Sequence, residues 1–110
     1  MFARNVSIKL KSNSLKDFNQ TFESEIVPML KKQAGFRDEL TMTGEDGAYV
    51  TAISLWDSKE QAEAYDKATY PTVLKTLDKF IDGAPKVRSS NVQSSTLHKL
   101  AAVEVAVAVA

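Results

Sequence analysis

The stretch "SLWDSKEQAEAY", residues 54–65, changes from a strand pattern to a helix pattern, and the only tryptophan of the chain, Trp56, stands at the change. The next two residues, Asp57 and Ser58, are both common helix N-caps, and each has a glutamate or glutamine three positions later to complete a capping pair. A buried indole needs a partner for its N–H group as well as apolar contacts. We therefore expect Trp56 to serve packing, a pocket, or both.

The helix that begins after Trp56 is interrupted by Tyr70 and Pro71. Proline cannot donate a backbone hydrogen bond inside a helix, but it suits the first turn of a new one. We therefore predict a second helix broken in two, with the later part ended by Gly83. A last strand is predicted in "PKVRSSNVQ", residues 85–93.

Upstream of Trp56, two β-prone runs flank a short turn sequence. The runs are "FRDELTMT", residues 36–43, and "AYVTAISLW", residues 48–56, and the sequence between them is "GEDG". Glycines and acidic residues suit a tight chain reversal. These two strands are therefore expected to pair as a hairpin.

The N-terminal segment "FARNVSIKL", residues 2–10, alternates in a period of two and predicts the first strand. One of its sides holds Val6, Ile8 and Leu10. A helix follows from Ser14 to the region of Gly35, with apolar residues every three or four positions. Pro28 lies inside this helix, so a kink or break is expected in its last turns.

The predicted order is βαββαβ, which is the ferredoxin-like arrangement of an α+β domain. In it, a four-stranded antiparallel sheet has the strand order 4-1-3-2 and both helices cover one face. The domain is predicted to span residues 1–96, with residues 97–110 as a C-terminal tail. The tail ends in an alternating alanine and valine pattern, which favours either disorder or addition to a sheet edge.

The uncovered face of the sheet predicts an assembly and a site. If Ile53 and Leu55 face the helices, Trp56 faces the open side, as does Asn5 by the alternation of the first strand. Antiparallel pairing then brings Asn5 and Trp56 close together on the open face. An apolar open face needs a cover, and a second copy of the chain supplies one. We therefore expect a homodimer, with a pocket between the open face and the broken helix.

Charge and composition narrow the classes of function. Lysine plus arginine equals aspartate plus glutamate at 14 each, without a basic stripe, so no nucleic acid partner is expected. The chain has no cysteine and a single histidine, His98, so a tightly bound transition metal is not expected. No signal sequence is recognisable and the apolar tail is too short for a membrane span, so we expect a cytoplasmic protein without a membrane partner.

Four segments carry a resemblance to a known family. They are Asn5 in the first strand, "AGFRDELTM", "LWDSKEQAEAY" and "TYPTVL". Together they resemble the antibiotic biosynthesis monooxygenase family of dimeric α+β barrels. The resemblance implies two ferredoxin-like sheets packed face to face and an oxidation of polyketide, quinol-type or haem substrates, often without metal or flavin.

The resemblance also implies roles for individual residues. Asn5 and Trp56 match the strand asparagine and the tryptophan that line the pocket of several family oxygenases, which makes them the candidate catalytic residues. Asn5 would hydrogen-bond a substrate oxygen, and Trp56 would press an aromatic substrate toward O₂ or shape the cavity. Haem-degrading members have a histidine ligand in the helix after the tryptophan, and this helix contains none. Haem degradation is therefore not expected.

Each candidate residue also has a structural interpretation. Trp56 can be a core or interface residue, and a backbone group or a water can satisfy Asn5. Tyr65 and Tyr70 are candidates for substrate binding, because a phenol can donate to a phenolate or quinone oxygen, but they can equally be packing residues. Arg37 and His98 could hold an anion or move a proton, or lie on the surface.

Two functions remain open. One is a small monooxygenase-like protein that oxidises an aromatic or quinol-type small molecule without a cofactor. In it, the substrate supplies the electrons and the pocket desolvates its anion near O₂. The other is a non-catalytic dimeric ligand-binding or stress-associated module with the same cavity. No general base is recognisable near Asn5 in the sequence.

Overall fold

The computed structural model describes residues 1–100, so the predicted behaviour of the tail over residues 101–110 lies outside the described residues. Four strands and two helical regions follow one another in the predicted order βαββαβ. The strands are β1 (Phe2–Lys9), β2 (Phe36–Thr43), β3 (Tyr49–Trp56) and β4 (Lys86–Asn91). The α-helices are α1 (Leu15–Thr21), α2 (Val27–Lys31), α3 (Lys59–Ala68) and α4 (Tyr70–Leu77).

The sheet has the order β2-β3-β1-β4, and every neighbouring pair is antiparallel. This confirms the predicted ferredoxin-like α+β fold and its strand order. In the central pair, Phe2 lies opposite Trp56 and Ile8 lies opposite Val50. The start of β1 and the end of β3 therefore meet at one end of the sheet.

The first helical region adapts to Pro28 with a wider turn. A π-helical turn, Phe22–Ile26, joins α1 to α2, and Pro28 lies in the first turn of α2. Because proline has no N–H, the backbone bond to the residue four positions earlier is missing there. A π-turn accommodates such an interruption without ending the helix. Phe22 and Ile26 remain buried on the sheet side.

The second helical region is broken as predicted, with Thr69 between α3 and α4 and Pro71 in the first turn of α4. Ser58 caps α3, because its hydroxyl oxygen accepts a 3.2 Å hydrogen bond from the backbone N–H of Gln61. Of the two capping pairs open in the sequence, the structure uses Ser58 with Gln61.

The hydrophobic core lies between the sheet and the helices. Val6, Ile8 and Leu10 are buried there, as predicted. The largest side chains without exposure belong to Trp56 and Phe18. No helix within residues 1–100 is long and apolar enough to cross a membrane.

The face assignment of β3 from the sequence is wrong. Val50, Ser54 and Trp56 are buried with the helix-side residues of β1, while Ile53 and Leu55 are half-buried on the opposite face. Both sides of β3 are largely apolar, so its alternation alone does not reveal which side meets the helices. Pairing with β1 decides it, because Trp56 lies opposite Phe2.

The face away from the helices carries an apolar surface, which we call the open-face patch. Its members are Leu40, Met42, Tyr49, Ile53 and Leu55. Leu40, on the edge strand β2, is 56% exposed, and Tyr49, the first residue of β3, is 54% exposed, so large apolar side chains meet solvent on this face. The open-face patch differs in its residues from the expected apolar face, but it lies on the predicted side of the sheet.

Candidate functional site

A small cavity of about 40 Å³ lies between the helix-covered face of the sheet and the helices. Its walls are mainly apolar and include Val6, Phe22, Ile26, Val73 and Leu77. Five side chains with polar groups also line it: Arg4, Glu39, Ser54, Tyr65 and Tyr70. An apolar lining with a few convergent polar groups is typical of a small-molecule site. A volume of about 40 Å³ holds only a few water molecules, so the helices have to move away from the sheet to admit a larger ligand.

Three of the polar residues form a row across the sheet. Arg4 of β1 lies opposite Ser54 of β3, and Ser54 lies opposite Glu39 of β2. Neighbouring strands are roughly 4.8 Å apart, so the backbones at Arg4 and Glu39 are separated by about 10 Å. The row therefore places a cation and a carboxylate at opposite ends of the cavity floor, with a hydroxyl between them.

Arg4 supplies the positive end of this row. Its side chain is only 4% exposed, and its Nη2 donates a 2.7 Å hydrogen bond to Oδ1 of Asp66 on α3. The guanidinium carbon lies 4.4 Å from the ring centre of Tyr70 and 5.1 Å from that of Tyr65. A buried charge is tolerated only when it is paired, and the aromatic faces add cation–π attraction. Arg4 makes its close hydrogen bond to Asp66, and it also acts on the two tyrosines through its charge and longer hydrogen-bonding contacts, both of which lower their pKa values.

The two tyrosines beside Arg4 are hydrogen-bond donors. The Tyr70 hydroxyl is buried and has no hydrogen-bond partner within residues 1–100. Burial raises the pKa of Tyr65 to about 12, although the charge of Arg4 acts against this rise. Burial also raises the pKa of Tyr70, again opposed by Arg4. Both phenols are therefore protonated at neutral pH, and the free Tyr70 hydroxyl can donate to an acceptor in the cavity.

Glu39 forms the negative end of the row. The Thr41 hydroxyl lies 2.6 Å from Oε1 and 2.8 Å from Oε2 of the carboxylate and donates to it. Burial raises the pKa of the Glu39 carboxyl above its ordinary value; the Thr41 hydrogen bond lowers that pKa and the charge of Glu23 raises it further. No ion pair within residues 1–100 includes Glu39.

Trp56 does not line the cavity but contacts two residues that do, Ser54 and Tyr65. Its Nε1 donates a 2.8 Å hydrogen bond to the hydroxyl oxygen of Ser54, which lines the cavity. Its ring packs against Tyr65, with 5.0 Å between centroids, and against Phe36, at 5.6 Å. The indole therefore has both its N–H partner and its apolar contacts inside the core.

The predicted juxtaposition of Asn5 and Trp56 is wrong. Asn5 lies opposite Ile53 on the face away from the helices, whereas Trp56 lies on the face toward them. The predicted pocket on the open face is wrong for the same reason, because the helices and the cavity lie on the other side of the sheet. The catalytic roles of Asn5 and Trp56 stay predictions. The structure does bring Tyr65 and Tyr70 together, with 6.1 Å between ring centres, in the cavity wall.

Sequence reasoning missed Arg4 and Glu39. Arg4 carried a usable signal, because it falls on the same side of β1 as Val6 and Ile8, and a charged residue on an apolar side calls for a partner. Glu39 carried no such signal. It alternates with Leu40, whose apolar side chain favoured the opposite orientation of the strand.

Arg37 and His98 lie outside the cavity. Arg37 forms an ion pair with Asp57, with 2.5 Å between Nε and Oδ1, and the His98 ring contacts the Asp38 carboxylate. Within residues 1–100, no group of three histidine, aspartate or glutamate side chains is arranged to hold a metal ion.

No known sequence family matches the chain, and no curated protein is similar enough in sequence to be matched. Solved structures do match. A monooxygenase from the gene ActVA-Orf6 of Streptomyces coelicolor, solved in complex with nanaomycin D, has a TM-score of 0.73 at 14% identity, with coverage of 89% of this chain and 92% of that one. The fold is that of antibiotic biosynthesis monooxygenase-type proteins.

Two further structures show the range of proteins with this fold. SnoaB, a cofactor-independent oxygenase from Streptomyces nogalater, has a TM-score of 0.70 at 10% identity, with coverage of 88% of this chain and 97% of that one. The NE2512 protein of unknown function from Nitrosomonas europaea has a TM-score of 0.74 at 10% identity, covering 89% and 94%. At these identities the likeness concerns the fold, and activity has to be argued from the site.

Proposed function

We propose that the protein is a small monooxygenase-like protein that oxidises an aromatic or quinol-type molecule with O₂, without a cofactor, in the cavity between sheet and helices. The observation that supports this most is the apolar cavity with Arg4 and the unpartnered Tyr70 hydroxyl at one end and Glu39 at the other. The likeness of fold to a monooxygenase and to a cofactor-independent oxygenase also supports this chemistry.

The positive end of the cavity suits a substrate oxygen that gains negative charge. Arg4 and Tyr70 together offer a cation and a neutral donor to that oxygen, and both favour the anionic form of an enolisable or phenolic substrate. The apolar walls remove water from the rest of the molecule, so the anion keeps its reducing power toward O₂. Tyr65 and Tyr70 are the proposed substrate-binding residues.

The overall reaction balances without an external reductant. For a substrate with a ring CH₂ group, O₂ delivers one oxygen atom to the new carbonyl group and the other leaves as water with the two hydrogens. The substrate carbon supplies all four electrons that O₂ accepts. In this scheme Trp56 holds Ser54 in the cavity floor, while Asn5 has no contact with the substrate because it faces away.

We further propose a homodimer in which two open-face patches pack together. The patch is apolar and exposed on the face that the helices leave uncovered, and an identical patch on a second copy would cover it symmetrically. Asn5 would then lie within or beside this interface. A cytoplasmic location is proposed on the absence of cysteine from the chain.

The test uses anthrone, a three-ring molecule with an enolisable CH₂ group, as the probe. Because anthrone is larger than the cavity, its binding requires α3 and α4 to move away from the sheet. The protein should accelerate O₂ uptake and formation of anthraquinone in metal-free buffer. Tyr70→Phe removes the free hydroxyl alone and should lower turnover about 10-fold or more, since a hydrogen bond to a charged group is worth about 1.5–3 kcal/mol. Tyr49→Phe, which removes a hydroxyl from the open-face patch, is the matched control and should keep wild-type turnover.

Two results would count against oxidation. The first is a wild-type rate equal to that of buffer, and the second is equal loss of rate in both tyrosine variants. Saturable binding of anthraquinone without any turnover of anthrone would favour the non-catalytic ligand-binding module instead.

A further inference from the structure

Glu39 stands between two separate spaces. On one side is the cavity, and on the other is an open groove between β2 and the first helical region. Within residues 1–100, Phe22 and Glu39 are the only side chains that border both spaces. Glu39 is therefore positioned to exchange a proton between the apolar interior and the solvent side.

The hydrogen bonds and ion pairs of the Glu39 carboxylate are compatible with such a proton exchange. Thr41, which holds both carboxylate oxygens, borders the groove and not the cavity. The hydroxyl therefore holds the carboxylate from the groove side, and within residues 1–100 no side chain that lines the cavity donates a hydrogen bond to it. Because Glu39 also has no ion pair within residues 1–100, no fixed cation opposes its protonation.

We propose that Glu39 is the proton acceptor of the cavity, taking a proton from an acidic C–H or O–H group of the substrate and releasing it to water in the outer groove. This inference rests on the proposed function for the identity of the substrate class. Arg4 and Tyr70, at the other end of the cavity, receive the substrate oxygen on which the negative charge is left. A ring system with a carbonyl at one end and a CH₂ group at the other, as in anthrone, matches the chemistry of these two ends, and the cavity has to widen to hold it.

The proton step balances. The C–H bond breaks, its electron pair stays on the substrate as an enolate, and an O–H bond forms on the Glu39 carboxylate. The carboxylic acid then returns its proton to a water molecule in the groove and becomes a carboxylate again. No electron leaves the substrate in this step, since the oxidation by O₂ follows it.

The raised pKa of Glu39 assists the proposed role, because a base works best when its pKa approaches the working pH. Several other charged or titratable side chains border the same two spaces. They are Arg4, Glu23, Lys31, Arg37, Asp38, Tyr65 and Tyr70. Among them, Glu23 is the neighbour whose charge raises the pKa of Glu39.

The first experiment follows anthrone oxidation across the acid and neutral pH range. Glu39→Gln should lower kcat about 100-fold or more, with a change in KM of less than about 3-fold, because general base catalysis typically contributes this much. It should also remove the fall in rate at acid pH that reports protonation of Glu39. Thr41→Val should move that fall to higher pH, since the hydrogen bond it removes lowers the pKa of Glu39. Glu25→Gln, at an exposed position of the π-turn, is the control.

The second experiment separates proton transfer from oxidation. Anthrone is incubated in D₂O without oxygen, and exchange at its CH₂ group is followed by NMR. The wild-type protein should accelerate exchange over buffer about 100-fold or more, and Glu39→Gln should abolish this acceleration while still binding anthraquinone. Binding is measured by quenching of the Trp56 fluorescence, and circular dichroism checks that each variant is folded.

Each outcome either supports or overturns the proposed role of Glu39 as proton acceptor. Exchange that depends on Glu39 supports it, even if the protein fails to oxidise anthrone and the proposed oxidation is wrong. Exchange that survives in Glu39→Gln overturns it, whatever the oxidation rate. A wild-type protein that accelerates neither exchange nor oxidation also overturns it, because no proton has been accepted.

Discussion

Trp56→Phe is the substitution that best measures how much the indole contributes to stability, because Trp56 packs in the core and does not line the cavity. Phenylalanine keeps an aromatic ring between Tyr65 and Phe36 but removes the N–H that donates to Ser54. Because Trp56 is 0% exposed, the missing atoms leave a void that water does not readily fill. The change should therefore cost stability through packing and through the hydrogen bond.

The size of the effect follows from these two losses. Phenylalanine lacks two ring carbons and the ring nitrogen of the indole, and at roughly 0.8 kcal/mol for each buried carbon the two carbons account for about 2 kcal/mol. The hydrogen bond to Ser54 adds about 1 kcal/mol. We expect a total of about 3 kcal/mol in the free energy of unfolding, with a fall in Tm of about 4–8 °C for each kcal/mol.

The assay is urea unfolding at one protein concentration, followed by far-ultraviolet circular dichroism because the variant lacks tryptophan fluorescence. The variants Trp56→Phe, Ser54→Ala and the double variant complete a cycle with the wild type. The coupling free energy between the two sites should be about 1 kcal/mol, and the slope of the unfolding free energy against urea should not change. Strict additivity of the two single changes would refute the hydrogen-bond argument, and a cost below about 0.5 kcal/mol for Trp56→Phe would refute the packing argument.

Four further outcomes are expected. Ile53→Asp puts a charge in the open-face patch and should give the monomer mass in light scattering, whereas Lys67→Asp on the exposed side of α3 should leave a dimer; a dimer in both would contradict the proposed interface. The pKa of Tyr65 is raised from 10.0 to about 12 on folding, so its contribution to stability is complete below pH 10.0 and is lost as the pH rises through about 12; urea unfolding in alkaline buffers measures this, and a flat profile would argue against it. Gly35→Ala should destabilise the fold by about 1–3 kcal/mol, since the backbone there has a φ of +80° and a Cβ would overlap the Gln61 side chain; an unchanged Tm would contradict this strain. Haem added with a reductant should keep its Soret band, because the helix after the tryptophan has no histidine, and loss of that band would show that this argument is wrong.

Much of the fold could be read from local signals. The alternation of β1, the turn sequence before β3 and the proline at the start of α4 each act over a few residues, so the sequence alone determines which elements form and in what order. The strand order then follows from the small set of topologies open to βαββαβ. The cavity-facing tyrosines were also recognised as candidates, because their helix was correctly placed.

The orientation of β3 and the composition of the cavity depended on tertiary structure. The side chains of β3 are largely apolar on both faces, and only its pairing with β1 reveals that Trp56 and Ser54 point toward the helices while Ile53 points away. A slip of one residue in this assignment moves every side chain to the other face, which is how Asn5 came to be placed beside the indole.

The sequence by itself therefore determined the elements, their order and the presence of apolar residues on both faces of the sheet. Tertiary structure decided which face that is, and it brought Arg4 and Glu39 into one row with Ser54 from three different strands. The physical reason is that local patterns report on neighbours along the chain, whereas a site between strands depends on hydrogen-bond register. In an antiparallel sheet that register is set by the pairing of whole strands, and no single segment contains it.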